Sequence, residues 1–192
     1  MHVVRCSSFQ LAMALAVVGA AACSQRDDGT DRAGDMTDDV TTTTGNESAS
    51  TVEVRLIDFE FLGLPERVVA GTKIEIVNTA PNEAHELVAF RLPDGEERTA
   101  RNLIALPADE RTALLGGPPA MVLLATPDGP QITTLGDGTL SEPGRYLLFC
   151  AVPTGADAAE YVEIAQTSAG PPQVPGGAPH FEHGMYADLI VE

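Results

Sequence analysis

From Val52 to Glu192 the chain is a succession of short β-prone runs, each soon stopped by Gly, Pro, Asn or Asp. Such punctuation leaves little room for long helices and limits the fold to packed short strands. Val52 to Phe61 alternates in part and reads as a strand with a bulge near Ile57-Asp58. Arg67 to Ala70 and Lys73 to Asn78 flank a turn at Gly71-Thr72, and Ile74 and Ile76 share one face. Glu86 to Leu92 follows, with His85 at its mouth; Met121 to Ala125 and Gln131 to Leu135 are shorter runs. The run Gly144 to Cys150 puts Tyr146, Leu148 and Cys150 on one face and Leu147 and Phe149 on the other. Tyr186 to Glu192 is a final strand. Asp94 to Ala113 reads as a charged surface connection with at most a short helix, with Glu110 to Leu115 as its last turn. The expected fold is an all-β sandwich.

The first residues have the pattern of an export signal: Arg5, an uncharged apolar stretch from Phe9 to Ala22, and small residues Ala20-Ala21-Ala22 before Cys23. The stretch is short for a membrane span, which needs about 20 apolar residues. Small residues followed by cysteine are similar to a lipoprotein cleavage box, which makes 1–22 the signal and Cys23 the lipidated first residue. An ordinary cleaved signal near the same point is the alternative. Residues 23–50 carry seven acids, the run Thr41 to Thr44 and almost no large apolar side chain, so a disordered linker is expected there.

Residues 51–192 are the size of one domain. Their 21 acidic and 8 basic side chains leave a net charge of −13 within the −17 of the whole chain. That charge disfavours nucleic acid and anionic lipid. The compatible partner is a protein with a basic docking patch, and the membrane is reached through the anchor at Cys23.

With Cys6 in the signal and Cys23 acylated, Cys150 is the one thiol left, so an internal disulfide is excluded and the thiol needs another role. Downstream lies Pro179-His180-Phe181-Glu182-His183-Gly184-Met185, and upstream Asn78 to His85 supplies a further imidazole. One thiolate, two imidazoles and a thioether form the ligand set of a blue-copper centre: the soft sulfur holds the reduced ion, imidazole suits both redox states, and a weak thioether tunes the potential. The candidates are His85, Cys150, His180 and Met185, with His183 competing with His180. A connection of 29 residues, Ala151 to Pro179, separates Cys150 from His180. Ala158, Tyr161, Val162 and Ala165 stand at helical spacing inside it, with Thr154 or Asp157 as a cap, so a short helix over Asp157 to Ser168 is expected.

Asn78 with His85, the approach Pro143-Gly144-x-Tyr146-x-x-x-Cys150, and His180-x-x-x-x-Met185 before a last strand resemble the cupredoxins, small blue copper proteins of the plastocyanin and azurin type. The resemblance covers most of 52–192. It implies a Greek-key β-sandwich, one type 1 copper ion with His85, Cys150 and His180 equatorial and Met185 axial, and electron transfer through a His180 near the surface. The chain departs from the family in the enlarged connection between Cys150 and His180, and in Glu86, where many relatives carry a neutral residue. Glu86 either lowers the copper potential or points to solvent. A copper carrier and a metal-free binding module use the same fold. A Cys-His nucleophile and a Cys-His-His zinc site are the rivals, and both leave Met185 without a role.

Overall fold

A computed structural model describes residues 50–168 and 170–192. The expected signal, the lipidated Cys23 and the linker lie outside the described residues, apart from Ser50. Two sheets form the body. In the first the order is β2 (Glu60–Leu62), β1 (Thr51–Ile57), β4 (Thr72–Asn78) and β8 (Thr139–Leu140), with β1 and β4 parallel. In the second it is β3 (Arg67–Val68), β10 (Tyr186–Val191), β9 (Gly144–Phe149), β5 (His85–Arg91), β6 (Met121–Ala125) and β7 (Ile132–Leu135). All its pairings are antiparallel except β10 with β3.

Alternation of side chains decides which residues meet. Val54, Leu56, Ile74 and Ile76 of the first sheet face Leu87, Leu123, Tyr146, Leu148 and Leu189 of the second, and Cys150 lies in that same inner core. Leu147 and Phe149 point the opposite way, as the period of two requires, into a second apolar cluster with Val88, Leu103, Ile104 and Phe181. Fully burying such a side chain contributes about 1.5–3 kcal/mol, so the sandwich is held from both faces of its larger sheet.

The second cluster corrects the reading of Asp94 to Ala113 as a surface connection. Two helices stand there, α1 (Ala100–Ile104) and α2 (Ala108–Leu115), and α1 buries Ala100, Leu103 and Ile104 against the sheet. The charges around them mask this in sequence, yet two arginines brace the helices. Arg145 forms an ion pair with Asp188 and donates to the carbonyls of Glu96 and Arg98. Arg111 donates to the carbonyl of Ile104 at 2.7 Å, and its guanidinium lies 4.9 Å from the centre of the Phe181 ring.

The bulge expected at Ile57-Asp58 is instead a two-residue hairpin turn, because Ile57 pairs with Glu60. Phe59 takes φ 68°, a left-handed conformation unusual for a bulky side chain. Among the described residues no helix is long and apolar enough to cross a membrane.

The long connection is pinched at its root. Gly177 N–H donates to the Thr154 carbonyl (2.8 Å), Thr154 N–H to the Ala178 carbonyl (3.1 Å), His180 N–H to the Val152 carbonyl (3.0 Å) and Phe181 N–H to the Cys150 carbonyl (2.9 Å). Outgoing and returning chains therefore pair from Cys150 onward, and the segment between them loops out. Its helix, α3 (Ala158–Thr167), begins at Asp157, whose carboxylate caps the Glu160 N–H at 2.9 Å. Tyr161 anchors α3 in the inner core.

Candidate metal centre

Cys150 follows β9, His85 opens β5, and these strands are neighbours. The pinched root brings His180, the first residue of a 3-10 turn (His180–His183), back to the same end of the sandwich. His85, Cys150 and His180 thus meet in one buried group. The Nδ1 atoms of His85 and His180 are 3.0 Å apart, and Cys150 Sγ is 4.0 Å from the first and 3.4 Å from the second.

An ion bonded at about 2.0 Å to nitrogen and 2.3 Å to sulfur, in a plane with angles near 120°, would set N···N near 3.5 Å and S···N near 3.7 Å. The observed triangle spans that size. Each neutral imidazole has one lone pair and one N–H. Both Nδ1 atoms point inward beside a sulfur, a donor set that suits a soft or borderline cation.

Met185 is fully buried in the inner core beside Cys150. Its carbonyl accepts from the Cys150 N–H (3.0 Å) and its N–H donates to the His180 carbonyl (3.1 Å), so its backbone ties two of the three residues together. His183 is exposed and outside the group; its ring lies 4.8 Å from that of Phe59.

Three surrounding features were not read from sequence. Phe59, at the hairpin tip, sets its ring edge-on to His180 at 5.1 Å. Asp58 beside it lies 3.4 Å from His85 Nε2, and Glu83 lies 3.6 Å from His180 Nε2. Phe59 and Glu83 lie against His180, which has 0 % exposure, so the imidazole expected near the surface sits beneath a layer of side chains. The cause is the hairpin, whose tip reaches over the end of the sandwich. Aromatic and acidic residues are common, and nothing in their spacing marks them for this role.

Asn78 earns its place by hydrogen bonding. Its amide donates to the carbonyls of Glu83 (2.8 Å) and Ala125 (2.9 Å), while its oxygen accepts from the Ala80 N–H (2.9 Å). It therefore fixes the loop before His85 to the end of β6. Glu86 does not point to solvent. It is buried, accepts from the Ala151 N–H at 3.1 Å and stands beside the Tyr161 hydroxyl, so it braces the chain leaving Cys150. The Glu86 N–H donates to Cys150 Sγ at 3.4 Å.

Burial pushes the Cys150 thiol well above its usual range, with the nearby Glu86 carboxylate adding to the effect. A buried thiol held protonated in this way is unsuited to nucleophilic attack. Burial, and then the neighbouring His180, hold His85 down at about 4; Asp58 acts in the opposite direction. His180 is also lowered by burial, against the raising effect of Glu83 and with a smaller lowering from His183. Burial raises Glu86 to about 7.

These shifts oppose each other in the metal-free protein. Below the ordinary imidazole value of 6.5 the unfolded chain binds a proton that folded His85 refuses, so stability falls as pH drops toward about 4. Glu86 acts in reverse: its folded value exceeds 4.5, so its contribution is lost as pH rises toward about 7. Between those limits the two largely cancel. Glu86→Gln keeps an acceptor for the Ala151 N–H but removes the opposing group. Its stability should then fall on acidification from pH 6.5 to 4.5 by on the order of 3 kcal/mol more than that of the parent. Urea unfolding across that range measures it, and parallel curves for the two proteins would exclude the account.

No family model matches the chain, and no curated protein matches it. Solved structures similar to it include dithionite-reduced auracyanin from Roseiflexus castenholzii (18 % identity, 76 % of this chain and 98 % of that one, TM-score 0.40). Auracyanin B (20 %, 77 % and 92 %, TM-score 0.34) is another. A third is auracyanin A, a blue copper protein from Chloroflexus aurantiacus (18 %, 74 % and 98 %, TM-score 0.36). The chain's own residues define an all-β two-sheet sandwich with a buried His-Cys-His group at one end, and that group fits a type 1 copper centre.

Proposed function

We propose that this chain is an exported electron carrier working through one type 1 copper ion, which His85 Nδ1, Cys150 Sγ, His180 Nδ1 and Met185 would hold. The observation that carries the reading is the inward-facing triangle of two imidazole nitrogens and a thiol sulfur, 3.0 to 4.0 Å apart. Copper, when bound, supplies reversible one-electron exchange between Cu(I) and Cu(II).

The protein's part is to keep the donors still and dry. His85 and Cys150 stand at ends of paired strands, and His180 is bonded through its backbone to Val152 and Met185. Small rearrangement between oxidation states favours fast transfer. The Glu86 N–H at 3.4 Å stabilises negative charge on the Cys150 sulfur. Binding must release the thiol proton, so copper uptake is favoured by rising pH. No substrate bond is made or broken. The net charge of −13 over 51–192 favours a redox partner with a basic face, and Cys23 is the proposed site of a lipid anchor.

The full chain loaded with Cu(II) should show an intense visible thiolate-to-copper band and a narrow copper hyperfine splitting in EPR. A folded, copper-exposed protein lacking both would refute the assignment. A copper carrier would surrender the ion quickly to a competing chelator, whereas this covered site should retain it. The mass of the mature N-terminus tests acylation of Cys23.

A further inference from the structure

The two imidazoles carry matching partners on their outer nitrogens. Asp58 Oδ1 lies 3.4 Å from His85 Nε2, and Glu83 Oε2 lies 3.6 Å from His180 Nε2. Both rings are fully buried, and the nitrogen of His180 facing Glu83 has no hydrogen-bond partner among the described residues, the carboxylate standing just beyond that distance. The two acids arrive from separate places, Asp58 from the hairpin tip and Glu83 from the β4–β5 connection.

We propose that Asp58 and Glu83 are positioning residues that keep the imidazole proton on Nε2 of His85 and His180, so that both Nδ1 lone pairs face Cys150 before any metal arrives. The inference rests on reading the triangle as a metal site. A neutral imidazole holds its proton on one nitrogen only. Inside a dry pocket the proton favours the side that carries negative charge, and here the carboxylates lie on the outside. The opposite tautomer would set a lone pair against each carboxylate. With both protons outside, the two Nδ1 lone pairs face each other at 3.0 Å, so the carboxylates must outweigh the inward Nδ1–H···Nδ1 bond that the same spacing allows.

Glu83 is the better shielded of the two. Its side chain is only 18 % exposed against 45 % for Asp58, so water screens it less. It is also held in place: the Gly155 N–H donates to both of its oxygens, at 3.2 and 3.1 Å. Gly155 has φ 72°, a conformation that strains any residue with a side chain. The first turn of the long connection therefore reaches the centre through Gly155, Glu83 and His180, which gives the connection a role at the site independent of α3.

The test uses the metal-free full chain at a pH well above the imidazole range, with imidazole tautomers read by long-range ¹H–¹⁵N NMR and Cu(II) affinity measured separately by chelator competition. The wild type should show His85 and His180 with the proton on Nε2. Glu83→Ala should move His180 to mixed tautomers and weaken Cu(II) binding about 10- to 100-fold. Glu83→Gln, which retains an oxygen acceptor, should recover most of both. Asp58→Ala, at an exposed turn, should shift His85 in the same sense but less. An unchanged His180 tautomer in Glu83→Ala, or an unchanged His85 tautomer in Asp58→Ala, overturns the proposal even if copper binds. Tautomer shifts as expected in a protein that binds no Cu(II) would uphold the positioning role and refute the copper reading instead.

Discussion

Cys150→Ser should abolish the visible charge-transfer band expected of the copper-loaded protein. Sulfur is the polarizable donor from which that band arises, and a serine hydroxyl neither ionises near neutral pH nor holds reduced copper. The substitution is nearly isosteric, so the sandwich should survive it. The site lies in the inner core beside Leu148 and Met185, and the Glu86 N–H keeps an oxygen to bond. In the metal-free state the cost should be about 1 kcal/mol. The contrast appears on adding metal. A ligand at 100 times its dissociation constant stabilises a folded protein by about 2.7 kcal/mol. The parent should gain this with copper and the serine variant should not. Thermal unfolding with and without Cu(II), beside the visible spectrum, gives both readings. Colour persisting in the variant would mean that the thiolate is not a ligand.

His180→Ala and His183→Ala should part company just as sharply. His180 Nδ1 stands 3.4 Å from Cys150 Sγ and 3.0 Å from His85 Nδ1. Its removal opens a cavity beneath Phe59 and leaves the metal two strong protein ligands, so the narrow-hyperfine EPR signal should disappear. Added imidazole could fill that cavity and restore part of the signal. His183 is exposed and touches Phe59 from the solvent side, so its loss should leave band and EPR intact, with a stability change within about 0.5 kcal/mol. The reverse pattern would transfer the ligand role to His183.

The strands were legible because alternation at a period of two is local. Tyr146 and Leu148 face inward and Leu147 and Phe149 outward, as their order in the chain requires. Asp157 likewise marks the start of α3, since capping involves residues three apart. α1 escaped notice because five residues carry too little helical period, and because the apolar surface they cover belongs to strands distant in sequence. Asp58 and Phe59 looked like part of a strand. Only the pairing of Ile57 with Glu60 turns the chain there and carries both residues to the imidazoles.

What the sequence by itself determined is chemistry and local form: the Cys150 thiol after a strand, imidazoles upstream and downstream of it, a methionine before the last strand, and the short-strand pattern that requires a sandwich. Those properties reside in residue types and near neighbours. Tertiary structure decided what depends on closing long loops: the pairing of Val152 with His180 that lets the middle of the long connection stand aside, the burial of His180, and the two carboxylates behind the imidazoles. Hydrogen bonds between residues far apart in sequence leave no periodic trace in the chain, so their partners become known only when the backbone has brought them together.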